Sequence, residues 1–222
     1  MQFDILTLFP DLIHTYSGES ILGRGQKNKA INIRAHNFRD FTKDKQRHVD
    51  DRPYGGGAGM ILQVQPIYDC LKSIKALKQK GKATKEKIKV IIMDPAGKKF
   101  DQRMAEKFAK LDRLVLIAGR YEGFDARVYK LVDERVSVGE YVLAGGELPA
   151  LTIVEAVARQ IPGVLGNHNS LTEETFGQKK NEMGKEYPHY TRPEDFMGMK
   201  VPKILTMGDH KKIAEWRKSK QA

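Results

Sequence analysis

The sequence lacks the features that mark secreted, membrane-spanning and zinc-binding proteins. Cys70 is its only cysteine, which excludes an internal disulfide and a cysteine-based zinc site and is typical of a reducing cytoplasm. Its apolar runs are far shorter than the roughly 20 residues of a transmembrane helix. Its first residues lack the basic and apolar regions of a secretory signal. We therefore expect a cytoplasmic protein with no membrane partner, in which Cys70 is a buried structural thiol in a helix.

Two common nucleotide-binding signatures are also missing. The glycine run Gly55–Gly59 is followed by no lysine, so it does not match the phosphate loop of nucleotide hydrolases. The dinucleotide-binding pattern of three spaced glycines is absent after the first predicted strand. A nucleotide-phosphate enzyme that uses the Gly55–Gly59 run therefore remains only as an alternative.

Positive charge is in excess. The 39 lysines and arginines outnumber the 28 acidic residues, for a formal net charge of +11 and a pI of about 9.6. The basic residues concentrate between Lys72 and Lys89 and in the tail from Lys211. A strongly basic protein usually binds a polyanion, so the charge favours a nucleic-acid partner over a merely solvated surface.

The pattern of apolar runs predicts an α/β fold. Strands are predicted at 1–9, 31–35, 89–93, 114–118 and 134–138, and helices at 10 onward, 20–29, 66–80, 101–111, 125–132 and 147–161. This alternation predicts a largely parallel sheet with helices on both faces. We expect one domain at 1–166, a linker at 167–187 and a small, mostly helical module at 188–222. The segment Phe38–Gly59 is long and polar, and its aspartates, arginines and tyrosine indicate a functional loop.

Three glycine-bearing segments follow predicted strands. They are Asp94–Gly97, Gly119–Gly123 and Ser137–Gly146, the last with Tyr141, Val142 and Leu143 among its glycines. The carboxyl ends of neighbouring parallel strands meet at one edge of a sheet, where ligands bind. The sequence therefore predicts one ligand pocket built from these three segments.

Seven motifs in order carry a resemblance to a known family. They are Leu8–Pro10, Arg39–Phe41, Val49–Gly57 (V-D-D-R-P-Y-G-G-G), Gly119–Gly123 (G-R-Y-E-G), Gly139–Ala150 (G-E-Y-V-L-A-G-G-E-L-P-A), Ile161–Gly166 (I-P-G-V-L-G) and Pro188–Pro193 (P-H-Y-T-R-P). With them the chain resembles, nearly end to end, the bacterial tRNA (guanine-N1)-methyltransferases of the TrmD type, within the SPOUT class of trefoil-knot enzymes.

The resemblance implies a homodimer that moves a methyl group from S-adenosylmethionine to N1 of the guanosine at tRNA position 37, just 3′ of the anticodon. It implies a C-terminal-side trefoil knot, recognition of the anticodon stem-loop and a dependence on magnesium, although no carboxylate cluster predicts a metal site. The implied cofactor residues are Ile92, Met93, Asp94, Pro95, Gly119, Tyr121, Glu122, Gly123, Val138, Gly139, Glu140, Tyr141, Val142, Leu143, Gly145 and Gly146. The implied RNA-binding residues are Asp50, Asp51, Arg52, Arg120 and His189.

Two catalytic residues follow from the same resemblance, Arg159 near the methyl group and Glu174 as general base. The chemistry suits both types, because guanine N1–H must lose its proton to a carboxylate, and a guanidinium or a metal ion would stabilise the charge that develops at O6. The family has aspartate at the Glu174 position, so this side chain is one methylene longer. Glu173 is the rival base. His189 has a suitable ordinary pKa for the role, but a structural histidine is the favoured interpretation.

Two points qualify the functional expectation. The family continues for further helices beyond the position of Trp216, so the resemblance implies a minimal tRNA-binding module here.

The second candidate function is a non-catalytic RNA-binding protein on the same fold, held to RNA by its basic charge.

Overall fold

The computed structural model describes residues 1–77, 86–166, 171, 174–176 and 186–220. It divides into two compact units, Met1–Gly166 and Asn167–Ala222. No helix within the described residues is long and apolar enough to cross a membrane.

The first unit is built on a five-stranded sheet in the order β2-β1-β6-β5-β7. Its strands are β1 (Gln2–Thr7), β2 (Asn32–Asn37), β5 (Ile88–Lys99), β6 (Arg113–Ile117) and β7 (Glu134–Ser137). Every neighbouring pair is parallel. The predicted α/β fold with a largely parallel sheet is thus confirmed. A separate antiparallel ribbon joins β3 (Asp50–Asp51) to β4 (Ile61–Leu62).

The described residues of this unit form five α-helices: α1 (Pro10–Ser17), α2 (Ser20–Lys27), α3 (Val64–Ser73), α4 (Gln102–Phe108) and α5 (Glu147–Ala158). Local chemistry sets several of their ends. Pro10 begins α1, where its missing N–H costs little. The Asp101 carboxylate accepts the Met104 N–H at 2.7 Å and caps α4, as the sequence predicts. The α3 helix ends earlier than the predicted Lys80, which lies outside the described residues.

Alternating strand residues form two cores on opposite faces of the sheet. Phe3 and Ile5 of β1 pack with α1, α2, α4 and α5, whereas Leu6 packs with α3 and two 3₁₀ turns. Cys70 of α3 is fully buried in the second core, and burial raises the pKa of its thiol to about 12. The expected burial of this cysteine is confirmed.

The segment Asp94–Gly97 differs from its prediction as a loop. It continues β5 as extended backbone, and Val136 of β7 pairs with both Met93 and Lys98, so the residues between them form an irregularity. A Cβ atom on Gly97 would lie 2.5 Å from backbone atoms of Arg135 and Val136. The glycine therefore permits close contact between strands rather than a turn.

The second unit is described mainly over 186–220. It contains the ribbon of β8 (Asp195–Phe196) and β9 (Met199–Lys200), a 3₁₀ turn at Lys203–Leu205 and the helix α6 (His210–Lys220). Its described part is therefore less helical than predicted. Most of the predicted linker, 167–187, lies outside the described residues.

Candidate functional site

A pocket forms where Met93–Pro95 of β5 meets the segments that follow β6 and β7. Its cavity volume is about 200 Å³, and its mouth is open to solvent. All the cofactor residues expected from the sequence line it except two, Ile92 and Glu140. Its walls are Met93, Asp94, Pro95, Gly119, Arg120, Tyr121, Glu122, Gly123, Phe124, Val136, Ser137, Val138, Gly139, Tyr141, Val142, Leu143, Ala144, Gly145, Gly146 and Pro149.

The two exceptions have clear structural causes. Ile92 is fully buried in the core that contains α3, because its side chain leaves the sheet on the face opposite to that of Met93. The Glu140 side chain is 90% exposed and lies 3.6 Å from Lys99 Nζ. Neither residue lines the pocket, and the cofactor-binding role expected for each stays a prediction.

Glycine allows the pocket walls to pack closely. A Cβ atom on Gly139 would lie 2.2 Å from the Tyr141 ring, and one on Gly119 would lie 2.3 Å from the Phe124 ring. At Gly146 a Cβ atom would meet the backbone of Ala118 and Gly119 at 2.7 Å. Flat rings therefore lie against bare backbone, and the loops after β6 and β7 are in direct contact.

A buried ionic network supports the pocket wall. The Glu147 carboxylate, at the start of α5, accepts the Arg120 Nε–H at 2.9 Å and the Thr7 hydroxyl at 2.8 Å. The Thr7 hydroxyl oxygen in turn accepts the Phe9 N–H at 2.9 Å. The Arg120 guanidinium carbon lies 4.5 Å from the centroid of the Phe9 ring. The network joins the ends of β1 and β6 to α5.

The sequence interpretation missed Thr7 and Glu147. The signal for Glu147 was its position directly after Gly145-Gly146, where a carboxylate begins a predicted helix. Thr7 carried no signal, because only the tertiary structure brings it within reach of a residue 140 positions away. The aromatic residue Phe124 also lines the pocket, although it lies outside the three predicted segments.

A second ion pair stabilises the other side of the pocket. The Asp94 carboxylate accepts hydrogen bonds from Arg135 at 2.9 Å and from the Ala96 N–H at 2.8 Å. The Arg135 guanidinium lies 4.6 Å from the Tyr129 ring centroid. Burial, with a smaller contribution from the Asp94 charge, raises the pKa of Tyr129. Asp94 is thus engaged in the wall itself.

The expected RNA-binding residues are spread over the molecule. Asp50 and Asp51 form β3, and the Arg52 N–H donates to the Asp51 carboxylate at 2.7 Å. Arg120 is the member of this set that lines the pocket. His189, in the second unit, lies 2.8 Å from a Glu186 oxygen, and its ring centroid is 4.7 Å from that of Tyr187.

Neither of the two expected catalytic residues is among those that line the pocket. Arg159 directly follows α5 and lines a second cavity, together with Tyr16, Leu148, Leu151, Thr152, Glu155 and Ala156. Glu174 is half-buried in the second unit, and Glu173 lies outside the described residues. Among the residues that the structure describes, no group of three or more histidine, cysteine or acidic side chains could hold a metal ion.

Known proteins of one family match this sequence over nearly its whole length. A family model described as tRNA (Guanine-1)-methyltransferase TrmD matches residues 1–222. A Limosilactobacillus fermentum protein named tRNA (guanine-N(1)-)-methyltransferase is 50% identical over 217 residues, which are 98% of this chain and 83% of the relative. A Lactobacillus johnsonii protein of that name is 51% identical, over 98% and 84%. One from Bacillus cereus is 48% identical, over 98% and 85%.

Proposed function

This chain belongs to the tRNA (guanine-1)-methyltransferase family TrmD, and from that membership we propose that it transfers the methyl group of S-adenosylmethionine to N1 of the guanosine at tRNA position 37. The observation that carries the proposal is the pocket, in which the three segments expected to bind the cofactor meet. A tRNA substrate is consistent with the net charge of +11 and with a cytoplasmic location.

The pocket fits this cofactor. Tyr141, Val142 and Leu143 supply an apolar wall for an adenine. The glycines at 139 and 119 let the rings of Tyr141 and Phe124 pack closely against the backbone of that wall. The carboxylate of Glu122 also lines it and suits a ligand with positive groups. When bound, S-adenosylmethionine supplies an electrophilic methyl group, and the pocket's contribution is to hold it in line with the acceptor.

We assign the chemistry on the guanine to Glu174 and Arg159. A carboxylate at Glu174 would take the proton from N1, and the Arg159 guanidinium would stabilise negative charge that develops on O6. Magnesium belongs to this proposal as an ion bound partly through RNA oxygens, since hard cations often keep water or substrate ligands.

A homodimer would bring Arg159 toward a cofactor pocket. Phe9, Leu12 and Tyr16, on and next to α1, are exposed, as is Leu148 at the start of α5. This apolar face adjoins the cavity that Arg159 lines, and Leu148 precedes Pro149, a residue of the cofactor pocket. A second copy seated on this face would lie beside the pocket, so that one site would use residues of both subunits. The trefoil knot around the cofactor segments is part of the same proposal.

The second unit supplies groups that bind RNA. The α6 helix is rich in lysine and arginine. Within the unit, the Arg217 guanidinium lies 4.8 Å from the Tyr187 ring centroid, and the rings of Tyr190 and Trp216 are 6.3 Å apart. Basic groups interleaved with aromatic rings bind phosphates and stack on unpaired bases. We propose that this unit contacts the anticodon stem-loop.

Neither alternative function is favoured. A non-catalytic RNA-binding protein would have no use for a pocket lined by the family's cofactor motifs. A phosphate-binding role for the Gly55–Gly59 run is not supported either, because β4 separates the run from α3 and no helix N-terminus follows it directly.

The test is to treat transcribed tRNA with the protein and radiolabelled S-adenosylmethionine, then to map the methylated nucleotide. We expect label on N1 of guanosine 37 and none on a matched tRNA with adenosine at that position. Binding of both tRNAs without any label would favour the non-catalytic alternative. Label elsewhere would retain a methyltransferase but refute the proposed position.

A further inference from the structure

The ionic network of Thr7, Arg120 and Glu147 places one positive charge, that of Arg120, in the wall of the pocket. Arg120 lines the pocket, whereas Glu147 is only 1% exposed and lies behind it. Within the described residues, the Arg120 side chain makes its one protein hydrogen bond through Nε, to Glu147. The guanidinium is also held against the ring of Phe9. Its position is therefore fixed by a carboxylate on one side and an aromatic face on another.

The charge on this guanidinium matters because of the ligand. S-adenosylmethionine carries a positive sulfonium, whereas its product, S-adenosylhomocysteine, has a neutral sulfur in the same place. An unpaired guanidinium in the wall would repel the sulfonium and leave the neutral sulfur unaffected. The Glu147 carboxylate cancels that charge at a distance of 2.9 Å. A buried carboxylate would itself be costly without such a partner.

We propose that Glu147 is a positioning and specificity-determining residue, which holds and neutralises Arg120 so that the pocket accepts the cationic methyl donor rather than favouring the neutral product. The proposal rests on the proposed function, since it presumes that the pocket binds S-adenosylmethionine. It assigns to Glu147 an effect on the ratio of two affinities, which a purely structural residue would not change.

The decisive variant is Glu147→Gln. Glutamine keeps the size of the side chain and an oxygen that accepts the Thr7 hydroxyl, but it removes the negative charge. The guanidinium of Arg120 stays near the pocket because the Phe9 ring still holds it. For two unit charges about 10 Å apart at an effective dielectric constant near 20, affinity changes by roughly two-fold with full screening at physiological salt and by roughly fifteen-fold without screening. We expect the affinity ratio of S-adenosylmethionine to S-adenosylhomocysteine to fall by a factor in that range.

Three further variants separate charge from structure. Thr7→Val breaks the same network without changing any charge, so it should lower stability and leave the ratio unchanged. The double variant Arg120→Gln/Glu147→Gln removes both charges and should restore the wild-type ratio. Arg120→Gln alone leaves the Glu147 carboxylate without its positive partner, so the affinity ratio should shift toward S-adenosylmethionine. This last variant tests the sign of the effect even if Glu147→Gln does not fold.

The measurement is titration calorimetry of both ligands against each full-length variant, with the melting temperature recorded alongside. A Glu147→Gln protein in which both affinities change equally would overturn the inference. So would a Thr7→Val protein whose ratio moves as far as that of Glu147→Gln, or an Arg120→Gln protein whose ratio is unchanged or falls. Failure of the wild-type protein to bind either ligand would instead refute the proposed function.

Discussion

The contact between the loops after β6 and β7 yields a sharp prediction at Gly146. Its N–H donates to the Gly119 carbonyl oxygen at 2.8 Å. A Cβ atom there would lie 2.7 Å from both Ala118 Cα and Gly119 N, whereas non-bonded carbon atoms prefer about 3.5–4 Å. The atoms in conflict are backbone, at the end of a central strand, so they cannot rotate away. Gly146→Ala must therefore separate the two loops by a large fraction of an ångström.

Overpacking of this kind costs about 1–3 kcal/mol of unfolding free energy. For a chain of this size each kcal/mol lowers the melting temperature by roughly 2–4 °C, so we expect a fall of about 2–12 °C. Affinity for S-adenosylmethionine should fall as well, because both loops line the pocket.

The matched control is Gly166→Ala. A Cβ atom on Gly166 meets no atom of the described residues within 4 Å. The unfolding free energy of this variant should therefore equal that of wild type or exceed it by up to about 1 kcal/mol. Thermal melting followed by circular dichroism and calorimetric titration measure the two effects. If Gly146→Ala matched the control in both melting and ligand affinity, the close contact between the loops would be refuted.

Three other outcomes are expected. Glu174→Gln should lower the single-turnover rate by about two to four powers of ten with little change in cofactor affinity. Glu173→Gln should lower that rate much less. If Glu173→Gln instead caused the larger loss of rate, Glu173 would be the base. Cys70 should resist alkylation at pH 8 until the protein is unfolded, because burial raises its pKa to about 12; rapid labelling of the native protein would contradict this. Burial would raise the pKa of Asp4, but hydrogen bonds led by His36 outweigh it and leave the pKa below 3.8. The stability that this carboxylate contributes is then present above about pH 4 and lost as pH falls through the lower folded-state pKa, so urea titrations should show a shallower acid loss for Asp4→Asn.

Much of the sheet was predictable from sequence because its determinants are local. A strand buried on both faces needs a nearly continuous apolar run, and Leu114–Ala118 supplies one. Capping at Asp101 needs only a carboxylate beside the first helical turn. The three glycine-bearing segments were likewise visible, since parallel strands bring their carboxyl ends to one edge. The family could be identified because the residues and the order of its motifs are read directly from the sequence.

Tertiary structure decided what depends on contacts between distant residues. The sequence shows glycine at Gly97 but not that a neighbouring strand lies against it, so a loop was predicted where β5 continues. Whether Ile92 faces the pocket or the core depends on the face of the pleat, which a one-residue change of phase reverses. The pairing of Thr7 and Glu147 joins residues 140 positions apart. A sequence pattern carries the chemistry of each side chain, but the partner that buries or neutralises it is chosen only when the strands and helices assemble.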